Sequence, residues 1–425
     1  KQLTTKTNQE GKRTTVTKLA KNKVKLNTKS AATKKSSYGD HECKYVNIVP
    51  QVRNLSPVDV NPCSYKSVVE VLLSIGEQTG IHKYGNGDRQ WVPVVCDGVP
   101  FSLAKRIISS TYRCLLCNEK AIIGQGLLEK HLSDKHAEIE EEEIGEAFES
   151  EFDWVMLVPG SGHIEMNMLK SLNELDFEIF WKEILRALDF TSDKALQYAK
   201  KVSDHHKGME VVTVAHRAVT DELVREYVIT KLKDKGNILE LSAADFFKFI
   251  NQAKNENCTL VADLVFELID SLLLFRLGVR TGCLDRIDSG IAKFAKLWCG
   301  RPHPIYRELE TTYAAMRERI PEELIPLLTL CLSVNMKGEE FTAEGIDFRV
   351  EENNQQIQPL VGRNATFWDW LIASINFKIL NSLRSKTFED MQIKDPKESA
   401  SHHHSDDYLI PHEKKVRKVI RSSKY

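Results

Sequence analysis

The chain is 425 residues long, 42 % hydrophobic and 28 % charged, and 59 Lys and Arg against 60 Asp and Glu leave a formal net charge of −1. This is an ordinary soluble globular balance, long enough for a sizeable core and for two or three domains. Nine cysteines without a disulfide-like rhythm exclude a cross-linked secreted scaffold and fit a reducing compartment.

The chain starts on Lys1 rather than Met, which fits a fragment or a processed form. Residues 1–45 read as a disordered basic segment, with eleven Lys or Arg and one acid between Lys1 and Lys35 and almost nothing to bury. No apolar core of a secretory signal follows. Residues 46–110 open the folded core. Tyr65–Ile75 has the spacing of a short helix, and Gln90–Cys96 reads as a strand closing at the Asp97-Gly98 turn.

Residues 111–137 read as an inserted finger. Residues 138–153 read as an acidic linker, with nine acids in sixteen residues and no base. The core resumes over 154–395 with a second strand at Trp154–Val158, stopped by Pro159-Gly160-Ser161-Gly162, and then becomes helical with a break near Asp176. Thr191-Ser192-Asp193 predicts a helix cap. Further helices are predicted at Thr220–Lys233, Ser242–Lys254, Leu260–Arg276, Ile291–Trp298, Pro304–Arg319, Glu322–Leu332 and Trp368–Leu383. The most apolar stretch, Val261–Val279, holds Asp263, Glu267, Asp270 and Arg276, too many charges for a membrane span. Residues 396–425 read as a polar, basic tail through Lys414, Lys415, Arg417, Lys418 and Arg421. Positive charge at both ends suits a polyanionic partner or nuclear import, and solvated tails are the alternative.

The strongest motif is Cys114-x2-Cys117, thirteen intervening residues, then His131-x4-His136. It is close to the spacing of a ββα zinc finger, with a tight thiolate knuckle and two imidazoles about one helical turn apart. Leu128 stands where such a helix carries its core leucine. The usual aromatic before it is absent, which leaves Ile122 or Ile123 to fill that place. The finger helix carries Glu129, Lys130, Asp134 and Lys135, a mixed set, so a scaffold role and a base-reading role both stand. Lys105, Arg106 and Arg113 are the better phosphate contacts.

Four carboxylates follow apolar runs or turns: Asp97, Glu165, Asp347 and Glu351. Acids converging from strand ends and a late helix are what two-metal phosphoryl transfer requires, with Mg2+ clamping the attacking and leaving oxygens. The alternative is that they are solvated turn and cap residues. In Asp204-His205-His206-Lys207 the adjacent histidines point about 100° apart on a helix, one inward and one outward, so they do not form a ligand pair. His402-His403-His404 is assigned no function, and Gly300-Arg301-Pro302-His303-Pro304 reads as a loop between helices.

Several segments together carry a resemblance. They are Cys96-Asp97-Gly98-Val99-Pro100, the Cys/His finger, Pro159-Gly160-Ser161-Gly162-His163-Ile164-Glu165-Met166-Asn167 and Ser203-Asp204-His205-His206-Lys207. To these add Lys293-Phe294-Ala295-Lys296-Leu297-Trp298, His303-Pro304-Ile305-Tyr306-Arg307-Glu308-Leu309-Glu310 and Asp347-Phe348-Arg349-Val350-Glu351-Glu352-Asn353. Over roughly residues 88–395 the chain resembles a large, biochemically uncharacterised family of transposon-associated proteins, common in cnidarians and other invertebrates and with fungal relatives. That family is more remotely similar to transposases of the RNase-H type.

The resemblance implies an Mg2+ site with Asp97 as the first acid and Glu351 or Asp347 as the last. Relatives often carry Gly-Asp before the aligned His, where this chain has Gly160-Ser161-Gly162-His163. Glu165 is then the substitute, or the acidic site is lost. The expectation is a predominantly helical α+β chain with a small RNase-H-like mixed sheet, an inserted C2H2-type finger holding structural zinc, and no membrane partner. In function it is a nuclear, transposase-like DNA-binding protein with metal-dependent strand cleavage or transfer, or a catalytically inactive zinc-finger scaffold that binds DNA or protein.

Overall fold

The computed structural model describes residues 46–51, 55–56, 58–60, 64–85, 87–139, 146–233, 241–253, 256–300, 304–362, 364–391 and 406–422. The expectations for the basic segment 1–45, for loop residues 301–303 and for the triple histidine 402–404 lie outside them. The described residues belong to one compact unit, 43–425.

Helix α1, Tyr65–Thr79, begins where the Ser64 hydroxyl accepts from the Ser67 amide and ends on Gly80, whose φ of +74° suits a residue without Cβ. Strand β1, Val92–Cys96, leads through Asp97 into helix α2, Gly98–Ser110, with the Asp97 carboxylate capping the Gly98 amide. Helix α2 runs directly into β2, Thr111–Cys114, followed by β3, Ile122–Ile123, helix α3, Gln125–Lys135, and β4, Phe148–Ser150. Strand β5, Val155–Pro159, turns into helix α4, Ser161–Glu174.

The five strands form two small sheets. β1 pairs in parallel with β5, Val92 opposite Val155 through Cys96 opposite Pro159. β3, β2 and β4 make an antiparallel sheet beside the finger. Pro93 is tolerated because β1 pairs on one side only.

The β1–β5 pair divides two cores by an alternation that breaks at Cys96, where β1 ends. Val92, Val94 and Val155 pack against the cluster of Val68, Leu72, Ile107, Phe152 and Trp154. Val95, Cys96, Met156 and Val158 face the larger helical core, which holds Trp181, Phe275, Phe294 and Trp298. Parallel strands buried on both faces read as continuous apolar runs, which is how both were recognisable.

The chain beyond α4 is helical. Asp176 takes φ +53° at the expected break, and Ser192 caps the next helix by accepting from Ala195. Helix α5, His205–Lys233, starts fifteen residues before the predicted Thr220. The apolar stretch at 261–279 lies within helical segments, among them α6, Asp270–Thr281, and among the described residues no helix is long and apolar enough to cross a membrane. Helix α7, Leu284–Gly300, packs so closely on α6 that a Cβ at Gly290 would lie 2.6 Å from that of Phe275. Helix α8, Pro304–Arg319, has its predicted bounds, and α9, Ile346–Val361, carries the late acids.

Two segments are more ordered than their composition suggests. The second half of the acidic stretch forms β4 and then buries Glu151 and Phe152 completely. In the basic tail, Asp406–Ser422 forms helix α10, which lays Leu409 and Val416 into the core. Its cations pair with acids of the body: Lys415 with Asp189 at 2.5 Å, Arg417 with Asp221, and Arg421 with both oxygens of Glu222 at 2.6 and 2.8 Å. Three of the five bases expected to meet a polyanion are thus engaged within the molecule. Val416→Asp would bury a carboxylate with no partner, a cost of several kcal/mol, and should detach the helix. Trypsin should then cut at Lys414–Lys418 within minutes, while wild type resists.

Candidate functional site

The finger closes as its spacing predicts. Cys114 ends β2 and Cys117 lies in the turn that follows, where the Cys114 amide donates to the Glu119 carbonyl at 2.9 Å. Gly124, at φ +82°, starts α3, whose buried His131 points back to the thiols. His136 lies one residue past the helix, its amide still donating to Leu132 at 2.8 Å. Cys114 Sγ stands 3.4 Å from His136 Nε2, and Cys117 Sγ 3.4 Å from His131 Nε2. All four donor atoms lie within 4.8 Å of one another. Donors at 2.0–2.3 Å from one tetrahedral ion stand roughly 3.3–3.8 Å apart, so this cluster can hold a metal ion.

The surroundings fix the donors. His131 Nδ1 faces Glu119 Oε2 at 3.4 Å, which leaves Nε2 to the metal side. Glu119 is kept below the usual carboxylate range by its hydrogen bond from Lys135. The missing finger aromatic is supplied from outside the motif: Phe148 on β4 stands edge-on to His131, centroids 6.0 Å apart, while Ile122 fills the interior place.

The knuckle is docked on the body. Buried Glu151 accepts from the Ala121 amide at 3.1 Å and the Tyr84 hydroxyl at 2.9 Å, and Tyr84 in turn accepts from Trp154 Nε1. Burial pushes the Glu151 carboxyl up, against these hydrogen bonds. Of the three flanking cations, Arg113 donates to the Lys83 carbonyl at 2.7 Å and Lys105 to Thr312 at 2.7 Å, while Arg106 is exposed.

At the other end of α2 lies the acidic site, at the carboxyl ends of β1 and β5. Asp347, in the first turn of α9, reaches across to the start of α4. Its Oδ1 accepts from the Gly162 amide at 2.9 Å, and its Oδ2 from the His163 amide and ring Nδ1, both at 2.8 Å. Burial opposes the charge on Asp347, but these hydrogen bonds outweigh it and hold its carboxyl below the usual range. The opposite ring nitrogen, Nε2, lies 3.5 Å from Asp97 Oδ2. His163 is held above its ordinary value: burial works against the cation, and Asp347 and Asp97 outweigh it. The Tyr306 hydroxyl on α8 also faces Asp97, and burial keeps it protonated.

Two glycines let the Asp347 carboxylate come this close. A Cβ at Gly160 would collide with the Asp347 carboxylate, and one at Gly162 would lie 2.6 Å from Phe348 Cβ. The Ser161 hydroxyl is buried and donates to the Leu332 carbonyl. A larger side chain at either glycine would displace Asp347 or Phe348.

The sequence-predicted acids therefore separate. Asp97 and Asp347 meet across His163. Glu351, one turn beyond Asp347, is exposed and within electrostatic range of His163. Glu165 does not join them. Two residues past His163, it points to the other side of α4, where its Oε1 accepts from Arg276 at 2.6 Å and His205 Nε2 at 2.8 Å. Burial works against its charge, but Arg276 and His205 hold it down at about 2. His205 turns inward and His206 outward, as their spacing predicts. His163 and Tyr306 were not among the predicted site residues. The signal for His163 was its place directly after a strand-ending Gly-Ser-Gly; nothing local marks Tyr306. Comparison with protein-family models, with curated proteins and with solved structures finds no match.

Proposed function

We propose that this chain is a zinc-stapled, transposase-like nuclear protein that binds DNA and supports metal-dependent strand cleavage or transfer. The observation that carries the reading is the meeting of Asp97 and the Asp347–His163 pair at the carboxyl ends of two adjacent parallel strands, with α9 and Glu351 alongside. Acids gathered at strand ends from segments far apart in the sequence support this reading, although the strands form a parallel pair and a separate antiparallel sheet and not one mixed sheet. Asp97 and Glu351 are the carboxylates that would take Mg2+, which would supply charge neutralisation at a phosphoryl group. Asp347 is committed to the α4 amides and to His163, so its part is to hold the site together. Two thiolates and two imidazoles at this spacing suit zinc, and the docked base of the finger favours a scaffold over a base-reading role.

A catalytically inactive scaffold that binds DNA or protein is the second reading. It is favoured by Glu165, which is tied to Arg276 and His205 instead of replacing the missing acid. A nicking assay on supercoiled DNA with Mg2+ or Mn2+, run on wild type and Asp97→Asn, separates the two. Divalent-dependent nicking that falls at least a hundredfold in Asp97→Asn supports the enzyme. Nicking that Asp97→Asn leaves intact, or none at all, removes it. DNA binding that weakens steeply with added salt would then leave the scaffold standing.

A further inference from the structure

We infer that His163 is itself a metal ligand, so that the cation site is built on Asp97 and His163 with Asp347 behind the imidazole, and prefers Mn2+ to Mg2+. This deepens the metal-dependent reading above and rests on it.

The orientation of the imidazole is the first ground. Asp347 Oδ2 accepts from the Nδ1–H of the ring at 2.8 Å and from the backbone amide of the same residue at 2.8 Å, so His163 is held at ring and backbone. A carboxylate behind one nitrogen of a histidine, with the other nitrogen turned outward, is the usual support of a metal-bound imidazole. The carboxylate is itself fixed by the Gly162 amide, and the absence of Cβ atoms at Gly160 and Gly162 lets it come this close.

The distance from Nε2 is the second ground. At 3.5 Å from Asp97 Oδ2 it is too far for a good charge-assisted hydrogen bond. It is the right separation for two donors sharing one ion: with bonds of about 2.0–2.2 Å they stand roughly 3–3.5 Å apart, depending on the angle. Asp97 is 44 % exposed at its side chain and His163 18 %, whereas Asp347 is 7 %, so the first two face an incoming ion and the third stands behind. Glu351, four residues after Asp347 on α9, is exposed and adds negative charge near His163. Asp97, in turn, is steadied by its bond to the Gly98 amide and by the facing Tyr306 hydroxyl.

The donor set decides the metal. Mg2+ takes oxygen ligands and keeps its waters, while an imidazole nitrogen moves preference toward Mn2+ and later first-row ions. The histidine thus stands in for the acid that the Gly160-Ser161-Gly162 turn lacks.

The test uses the full chain with the finger saturated with Zn2+, titrated with Mn2+ and with Mg2+. Wild type should bind one additional Mn2+ at least tenfold more tightly than Mg2+, and pulsed electron paramagnetic resonance of the bound Mn2+ should show one imidazole nitrogen coupling. His163→Asp keeps a ligand at the position; it should abolish the coupling and reverse or erase the Mn2+ preference. Asp347→Asn should weaken Mn2+ ten- to a hundredfold. Mn2+ binding without nitrogen coupling, or a preference unmoved by His163→Asp, overturns this inference and leaves the metal-dependent reading intact. If neither cation binds beyond the zinc, both are overturned.

Discussion

Stripping the finger of its metal, by chelator or by Cys114→Ser, is expected to unfold residues 111–136 and to loosen the layer beneath them. A two-thiolate, two-imidazole site contributes on the order of 10 kcal/mol to the fold of such a module, since little else in so short a segment is buried. Here the damage should travel. β2 continues α2 without a break and pairs with β4, and Glu151 joins the finger to Tyr84 and Trp154. Amide exchange should therefore rise over 111–136 and 146–152 on chelation, and to a smaller degree over α1, while α5 to α7 stay protected. A finger that hung free would show the first change and not the second. Exchange unaltered anywhere on chelation would mean that the four side chains are not a metal site.

The second large effect is expected from Arg276→Ala, which leaves Glu165 in the core with His205 as its hydrogen-bond partner and Arg280 as the remaining nearby cation. Removing one partner of a buried ion pair costs about 3–5 kcal/mol, because the remaining charge must be kept away from water. The urea midpoint should fall accordingly, and Glu165→Gln in the Arg276→Ala background should recover part of the loss, a coupling visible only in the double variant. The pH dependence follows in sign. Glu165 in the folded chain titrates at about 2, below its ordinary value, so its contribution is complete above roughly pH 4.5 and lost as the pH falls toward 2. That acid-side loss should shrink in Arg276→Ala. Equal acid sensitivity in both proteins would mean that the pair does not hold Glu165 ionised.

These two sites differ in how far the sequence disclosed them. The finger is local: its ligands lie within twenty-three residues, and the spacing alone specified a tetrahedral donor set. The parallel strands were equally plain, because Trp91–Cys96 and Trp154–Val158 are apolar runs ended by turn residues. What could not be read was pairing over long distances. Asp347 and His163 are 184 residues apart, and no periodicity ties them together. Glu165 looked like a substitute acid because it lies near the right turn, yet two positions along a helix swing a side chain to the opposite face. The tail misled by composition. Leu409, Val416 and Ile420 do fall at helical spacing in α10, but the many bases between them outweighed that pattern, and the helix is held by ion pairs to α5 as well as by burial.

The separation of Asp347 from the Gly162 amide, 185 residues along the chain, sets an order on biosynthesis. A nascent chain can close the finger soon after His136 leaves the ribosome, and β5 can dock on β1 as soon as Pro159 follows. The turn at 160–162 then waits, its amides bonded to water, while nearly two hundred further residues are made. At roughly 5–20 residues per second that interval is about ten to forty seconds. Chains ended before Asp347 would carry the finger motif and both strands, but with the Gly162 amide lacking its carboxylate partner and, where they end before the helical core, one face of the strand pair uncovered.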